Sequence, residues 1–282
     1  MVGSALLFAA MGAAVKIASA SLPNAMLVFA RSSLGLVALL PWLVRLGPRN
    51  LATRHFREHL VRGLAGVGAM YCFFYALAHL RLADAVLLNY SLPLFMPFIE
   101  SVWLREPFPR RLWWGVGLGF LGVLVILRPG PGIFQPAALA GLAAAWLAAI
   151  AQVGVRQLTR SEPSSRIVFY FGVISTAVSA LPLVHEWRTP APPLWLTLIA
   201  LGVLATAGQL LLTEAYAFAP AARVGPFIYT SVVFAGLFDW WLFAKPPDRF
   251  TLVGAVLIAA AGVVVLKQAG VAPRVPAPRR NS

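Results

Sequence analysis

The 282 residues are 60% hydrophobic and only 11% charged, with a mean hydropathy of +0.81. Soluble domains carry roughly 25% charge, and a water-soluble globule of this size could not cover so much apolar surface. The net charge of +14 sits in short connections between apolar runs, which leaves no surface for a nucleic-acid groove, and the single cysteine, Cys72, excludes an intrachain disulfide.

In chain order, ten apolar segments fall near 3–20, 24–44, 62–80, 83–104, 111–128, 137–157, 166–184, 194–218, 221–243 and 250–267. Each has roughly 18–25 residues, enough for about 30 Å of hydrocarbon. Ala18-Ser19-Ala20 looks like a signal-peptide cleavage site, but no Lys or Arg precedes the first apolar run, so that run is kept as the first helix. The connections carry turn chemistry, as in Ser21-Leu22-Pro23-Asn24 and Arg128-Pro129-Gly130-Pro131-Gly132. From Gln268 the chain turns proline-rich and basic, and it is expected to be a disordered tail over 268–282.

Lys and Arg fix the expected orientation. With the N-terminus inside, sixteen of the 23 fall on the cytoplasmic side, among them Arg45, Arg62, Arg105, Arg156 and Arg223. Five fall on the opposite side, and Lys16 and Arg31 lie within helices. The bias predicts a multi-pass inner-membrane protein with both termini cytoplasmic.

Shifting the chain by 139 residues aligns its two halves. Tyr90 meets Tyr229, Ser91 meets Thr230, Glu100 meets Asp239, Pro107 meets Pro246, Arg110 meets Arg249 and Gly115 meets Gly254. One residue more aligns Lys16 with Arg156, and two more align Pro41 with Pro182. Coincident Tyr, acid, Pro and Arg in one register exceed chance apolar similarity. Five helices is an odd number, so the second half enters from the opposite face. The expected fold is an all-α membrane protein of ten transmembrane helices as two inverted five-helix repeats, 1–132 and 133–267.

Several motifs then point to a family. Tyr90-Ser91-Leu92-Pro93 precedes Leu104-Arg105-Glu106-Pro107 and the glycine-rich Gly115-Val116-Gly117-Leu118-Gly119-Phe120-Leu121-Gly122. The second half echoes them in Pro226-Phe227-Ile228-Tyr229-Thr230-Ser231 and Lys245-Pro246-Pro247-Asp248. Over nearly its whole length the chain resembles the drug/metabolite transporter superfamily, in particular proteins with two EamA-type domains. Asn89-Tyr90, Trp146 and Tyr71 are similar to positions in bacterial exporters of aromatic and neutral amino acids. The resemblance implies a transporter of small metabolites, with an amino acid as the expected cargo.

Tyr71, Tyr75 and His79 share one helical face by their spacing of four. With Asn89, Tyr90, Trp146, Gln152, Gln209 and Tyr229 they form the expected substrate-binding set, since aromatic rings with a few amides suit an amphipathic solute. For Tyr71, Asn89, Tyr90 and Trp146 this weighs evenly against aromatic packing at the membrane interface. Pro93, Pro97 and Pro226 each remove a helical donor and are expected hinges. Glu100, Glu214 and Asp239 lie within apolar segments, and pairing with Arg105, Arg223 and Lys245 is the favoured role. Glu214 is the candidate for proton coupling. Arg31 could draw a substrate carboxylate, although a structural role is preferred. Gly115, Gly119 and Gly122 are expected to serve close packing inside the chain.

No nucleotide-binding loop occurs, so the expected protein is a secondary transporter that works by alternating access and needs no cofactor or metal. Its expected partners are a small-molecule substrate and membrane lipids, with no nucleic acid, in a monomer or weak homodimer. Amino acid export is the leading expectation, and uptake of a nucleoside-like metabolite such as S-adenosylmethionine is second. An intramembrane enzyme is the rival from another class. It would need a convergent nucleophile, base or metal set, whereas His55, His59, His79 and His185 are scattered.

Overall fold

The computed structural model describes residues 1–46, 51–104, 112–127, 135–218, 230–246 and 248–269. Twelve helices occur among them: α1 (Val2–Ala18), α2 (Asn24–Leu46), α3 (Phe56–His79), α4 (Leu82–Asn89), α5 (Leu92–Leu104), α6 (Leu112–Leu127), α7 (Pro136–Leu158), α8 (Ser164–Ala180), α9 (Leu183–Glu186), α10 (Pro192–Phe218), α11 (Thr230–Phe243) and α12 (Arg249–Ala269). They make ten passes, because α4 and α5 share one and α9 is a single turn. Within α2, α3, α7 and α10, apolar stretches of 18–26 residues are long enough to cross a membrane by length and composition. The apolar stretches of the other passes are 10–17 residues long.

Helix boundaries follow local chemistry. Pro136 opens α7, where a missing N–H removes nothing from the ladder. Pro163, in extended backbone, precedes α8. The predicted fourth helix, 83–104, is broken: α4 stops at Asn89 and α5 starts at Leu92. The break therefore lies upstream of Pro93, at Tyr90–Ser91. Pro93 is the second residue of α5, where proline is tolerated. The Ser91 hydroxyl donates to the Leu88 carbonyl at 2.6 Å and satisfies the frayed end of α4. Pro97 continues α5, and Pro226 lies outside the described residues.

Packing partners exchange when the two halves are swapped. Helix α3 packs on α7, and its counterpart α10 packs on α1. Helices α2 and α10 pair, as do α8 and α3; α1 meets α11, as α7 meets α4 and α5. Helix α2 meets α8 and α6 meets α12, so these pairs map onto themselves. This is the pattern of an inverted repeat with a pseudo-twofold between its halves. Two self-mapped or exchanged crossings depend on glycine. A Cβ on Gly202 would lie 2.8 Å from the Gly35 nitrogen, where α10 crosses α2. A Cβ on Gly122 would lie 2.7 Å from Ile258, where α6 crosses α12. The glycine face of α6 thus packs within the chain, as expected.

Each end of the bundle carries a polar clasp between the two halves. At one end Asp239, buried on α11, accepts from the N–H groups of Leu82 (3.1 Å) and Ala83 (2.7 Å), the first two residues of α4. This replaces the expected Asp239–Lys245 pair. Four orphan N–H donors and the positive dipole end of α4 compete for the carboxylate more effectively than a flexible ammonium. Lys16 caps the other side of the same corner by donating to the carbonyls of Leu77 and Leu80 at the end of α3. Arg81 pairs with Asp84 at 2.7 Å and with Asp248 at 3.3 Å. At the opposite end Glu162, between α7 and α8, accepts from Thr53 at 2.6 Å and pairs with Arg166. Tyr170 donates to the Leu51 carbonyl at 3.0 Å.

Candidate functional site

A cavity of about 140 Å³ lies between the clasps, lined from α1, α2, α3, α4, α5, α7, α8, α10 and α11. Its walls come in repeat-related pairs. With the 139-residue offset, Met70 matches Gln209, Phe73 matches Leu212 and Leu92 matches Ser231. With one residue more, Phe8 matches Ala148 and Met11 matches Ala151. All ten residues line the cavity, so it sits on the pseudo-twofold, with repeat-related walls from both halves.

Chemically the halves contribute unequally. The first supplies Arg31, Arg62, Asn89 and Tyr90; the second supplies Gln152, Phe171, Gln209 and Ser231. Arg62 is only 3% exposed, and its Nε and Nη1 have no hydrogen-bond partner among the described residues. Its guanidinium lies over the Phe171 ring, 3.5 Å from the centroid, and that of Arg31 lies 4.9 Å from the same centroid. The position 139 residues beyond Arg62 is the buried Leu201, so this charge has no repeat-related counterpart. The Gln152 side-chain oxygen is also buried without a partner among the described residues, while the Ser231 hydroxyl donates to the Ala5 carbonyl at 3.2 Å. No Asp or Glu lines the cavity among the described residues.

The structure brings together four of the nine expected binding residues: Asn89, Tyr90, Gln152 and Gln209. It places four others outside the lining. Tyr75 and His79 are exposed and tilted against each other with centroids 4.2 Å apart. Trp146 is 44% exposed and meets Phe95 edge-on at 5.4 Å. Tyr71 lies outside the lining, and its backbone carbonyl accepts from the Asn24 amide at 2.8 Å. Tyr229 lies outside the described residues. Glu214 is exposed on α10, away from the cavity, and its expected partner Arg223 lies outside the described residues, as does Arg105.

Arg62 and His59 correct the sequence reading most. The expected third segment starts only at Arg62 and leaves His59 before it, yet α3 starts at Phe56 and makes Arg62 its seventh residue, about 9 Å from the helix start. Extending the apolar run back to Phe56 would have placed Arg62 nearly two turns inside. His59, fully buried, stacks on Tyr170 with centroids 4.5 Å apart, next to the Glu162 clasp. Burial works against the Glu162 carboxylate, but hydrogen bonds from Thr53 and Arg166 outweigh it and hold its pKa below the usual carboxylate range.

Known proteins give the same picture of class. The family model described as "EamA-like transporter family" matches twice, at residues 1–128 and 135–267. The pseudopaline exporter CntI of Pseudomonas aeruginosa is 36% identical over 261 residues, covering 92% of this chain and 91% of the relative. A riboflavin transporter of Vibrio cholerae is 29% identical over 270 residues, covering 94% and 91%. An S-adenosylmethionine uptake transporter of Rickettsia bellii is 27% identical over 233 residues, covering 82% and 79%. A solved crystal structure superposes with a TM-score of 0.66 at 20% identity, covering 95% of this chain and 97% of the other, and so supports the fold. The relatives' names point to transport of small metabolites rather than to enzymatic chemistry. Two family matches spanning nearly the whole chain, over a helical bundle with a cavity on its pseudo-twofold, make this multi-pass membrane protein a member of the EamA-like transporter family.

Proposed function

We propose that the chain is a secondary transporter of the inner membrane that exports an amino acid or an amino-acid-derived metabolite by alternating access. The observation that carries this reading is the cavity on the pseudo-twofold, with a clasp between the halves at either end. Rocking of one half, near 1–132, against the other, near 133–267, opens one clasp while the other holds. The charge bias supports an orientation with the Glu162 end and both termini in the cytoplasm. Glu214 stays a candidate for proton coupling, and unchanged pH dependence in Glu214→Gln would remove it. Uptake of S-adenosylmethionine, suggested by the rickettsial relatives, fits less well, because a sulfonium cation would meet two arginines and no acid among the described lining residues.

The test is counterflow in proteoliposomes against amino acids, riboflavin and S-adenosylmethionine. Amino-acid-like solutes are expected to exchange. Gln152→Ala and Gln209→Ala are each expected to slow exchange about tenfold, the scale of one or two lost polar contacts. Trp146→Ala is expected to stay within about twofold, since its ring faces away from the cavity. Flat exchange for every solute, with folded protein, would overturn the assignment.

A further inference from the structure

We propose that Arg31 and Arg62 form a carboxylate-binding site, so that the transported metabolite is an organic anion with at least two carboxylates. The proposal rests on the transporter reading above and names its substrate class.

Buried charges in proteins are ordinarily paired or hydrogen-bonded, because an unpaired one loses its hydration without compensation. Arg62 breaks that rule. Its Nε and Nη1 are buried and unpartnered among the described residues, and the side chain is 3% exposed. Arg31, 7% exposed, brings a second guanidinium to the same Phe171 ring and adds like-charge repulsion. The ring face offers each cation some attraction but no acceptor atom. Glu162, at the clasp beside His59, is engaged by Thr53 and Arg166, and Glu58, one turn before Arg62 on α3, lies 3.8 Å from His55. What the pair lacks is negative charge with paired acceptor oxygens. A carboxylate supplies both, because its two oxygens match the guanidinium fork.

Two cations call for two carboxylates. The unpartnered Gln152 oxygen adds an acceptor suited to an ammonium or amide N–H of the same molecule. The charge pattern is therefore that of an anionic amino-acid derivative rather than a neutral amino acid.

The test uses the full chain in detergent. L-glutamate and citrate are titrated by calorimetry against L-glutamine and inorganic phosphate, in wild type, Arg62→Gln, Arg62→Lys and Arg31→Gln. Glutamate or citrate is expected to bind at least tenfold tighter than glutamine, and each Gln variant to lose at least tenfold. Arg62→Lys is expected to fall between, since it keeps the charge without the fork. Equal binding of glutamine, equal binding of phosphate, undiminished binding by the Gln variants, or no binding of either carboxylate would each overturn the site. So would a lowered Tm in both Gln variants without ligand, which marks structural cations. Counterflow separates this from the parent reading. Neutral solutes exchanged while carboxylates fail to bind would sink only the anion site. Carboxylates bound yet never moved across the vesicle would sink the transporter assignment and leave the site standing.

Discussion

The Asp239 corner and the cavity handle buried charge in opposite ways. At the corner Asp239, 1% exposed, holds two backbone N–H groups of α4, Lys16 holds two carbonyls of α3, and Arg81 is paired with Asp84 and Asp248. In the cavity Arg62 is nearly as buried, yet two of its nitrogens have no partner among the described residues. One cluster uses charge to finish helix ends and join the two halves. The other keeps charge uncompensated where a solute would enter. On the proposal that Arg31 and Arg62 bind carboxylates, the two clusters separate holding from binding.

The contrast predicts opposite signs for two charge deletions. Asp239→Ala should destabilise most, by about 3 kcal/mol, because two buried N–H donors are left unpaired. Thermal unfolding in detergent would show it, and an unchanged Tm would remove the corner's structural role. Arg62→Met should act the other way and stabilise the unliganded protein by about 1 kcal/mol, since an apolar chain of similar length replaces an unpaired charge. The same unfolding assay reads the sign directly.

The third prediction concerns pH at the opposite clasp. The Glu162 pKa lies below its unfolded value, so its stabilisation is complete above about pH 4.3 and drains away as pH falls through the folded value. Glu162→Gln should therefore unfold with a flatter acid limb below that pH, and a limb as steep as wild type would show that the clasp does not stabilise the fold. The smallest effect is expected beside the Asp239 corner. Ala244 ends α11 at φ 51, in left-handed backbone, and Lys245 donates back to the Asp239 carbonyl at 3.0 Å. Ala244→Gly should relieve that strain and gain a few tenths of a kcal/mol, the left-handed penalty for alanine less the added entropy of glycine. A lower Tm would contradict it.

Sequence reading found the passes, the repeat and four residues of the cavity lining for one reason: apolar length and residue identity at fixed offsets are properties of the chain itself. It misplaced Arg62 and His59 because a basic residue at the edge of an apolar run looks like a loop charge until the helix start is known. Face-sharing put Tyr75 and His79 with Tyr71, but periodicity cannot say which face of α3 meets a neighbour. Asp239 was given to Lys245 by proximity along the chain, whereas its partners lie 156 and 157 residues away.

What the sequence determined alone is that this chain must sit in a membrane as two related sets of five helices, since no aqueous fold could hide its apolar surface. Which side chains meet inside was decided only by the packing of one set against the other. Phe171 of α8 gathers Arg31 of α2 and Arg62 of α3 onto a single ring. Such a contact depends on helix crossings between distant segments, and no local spacing encodes it.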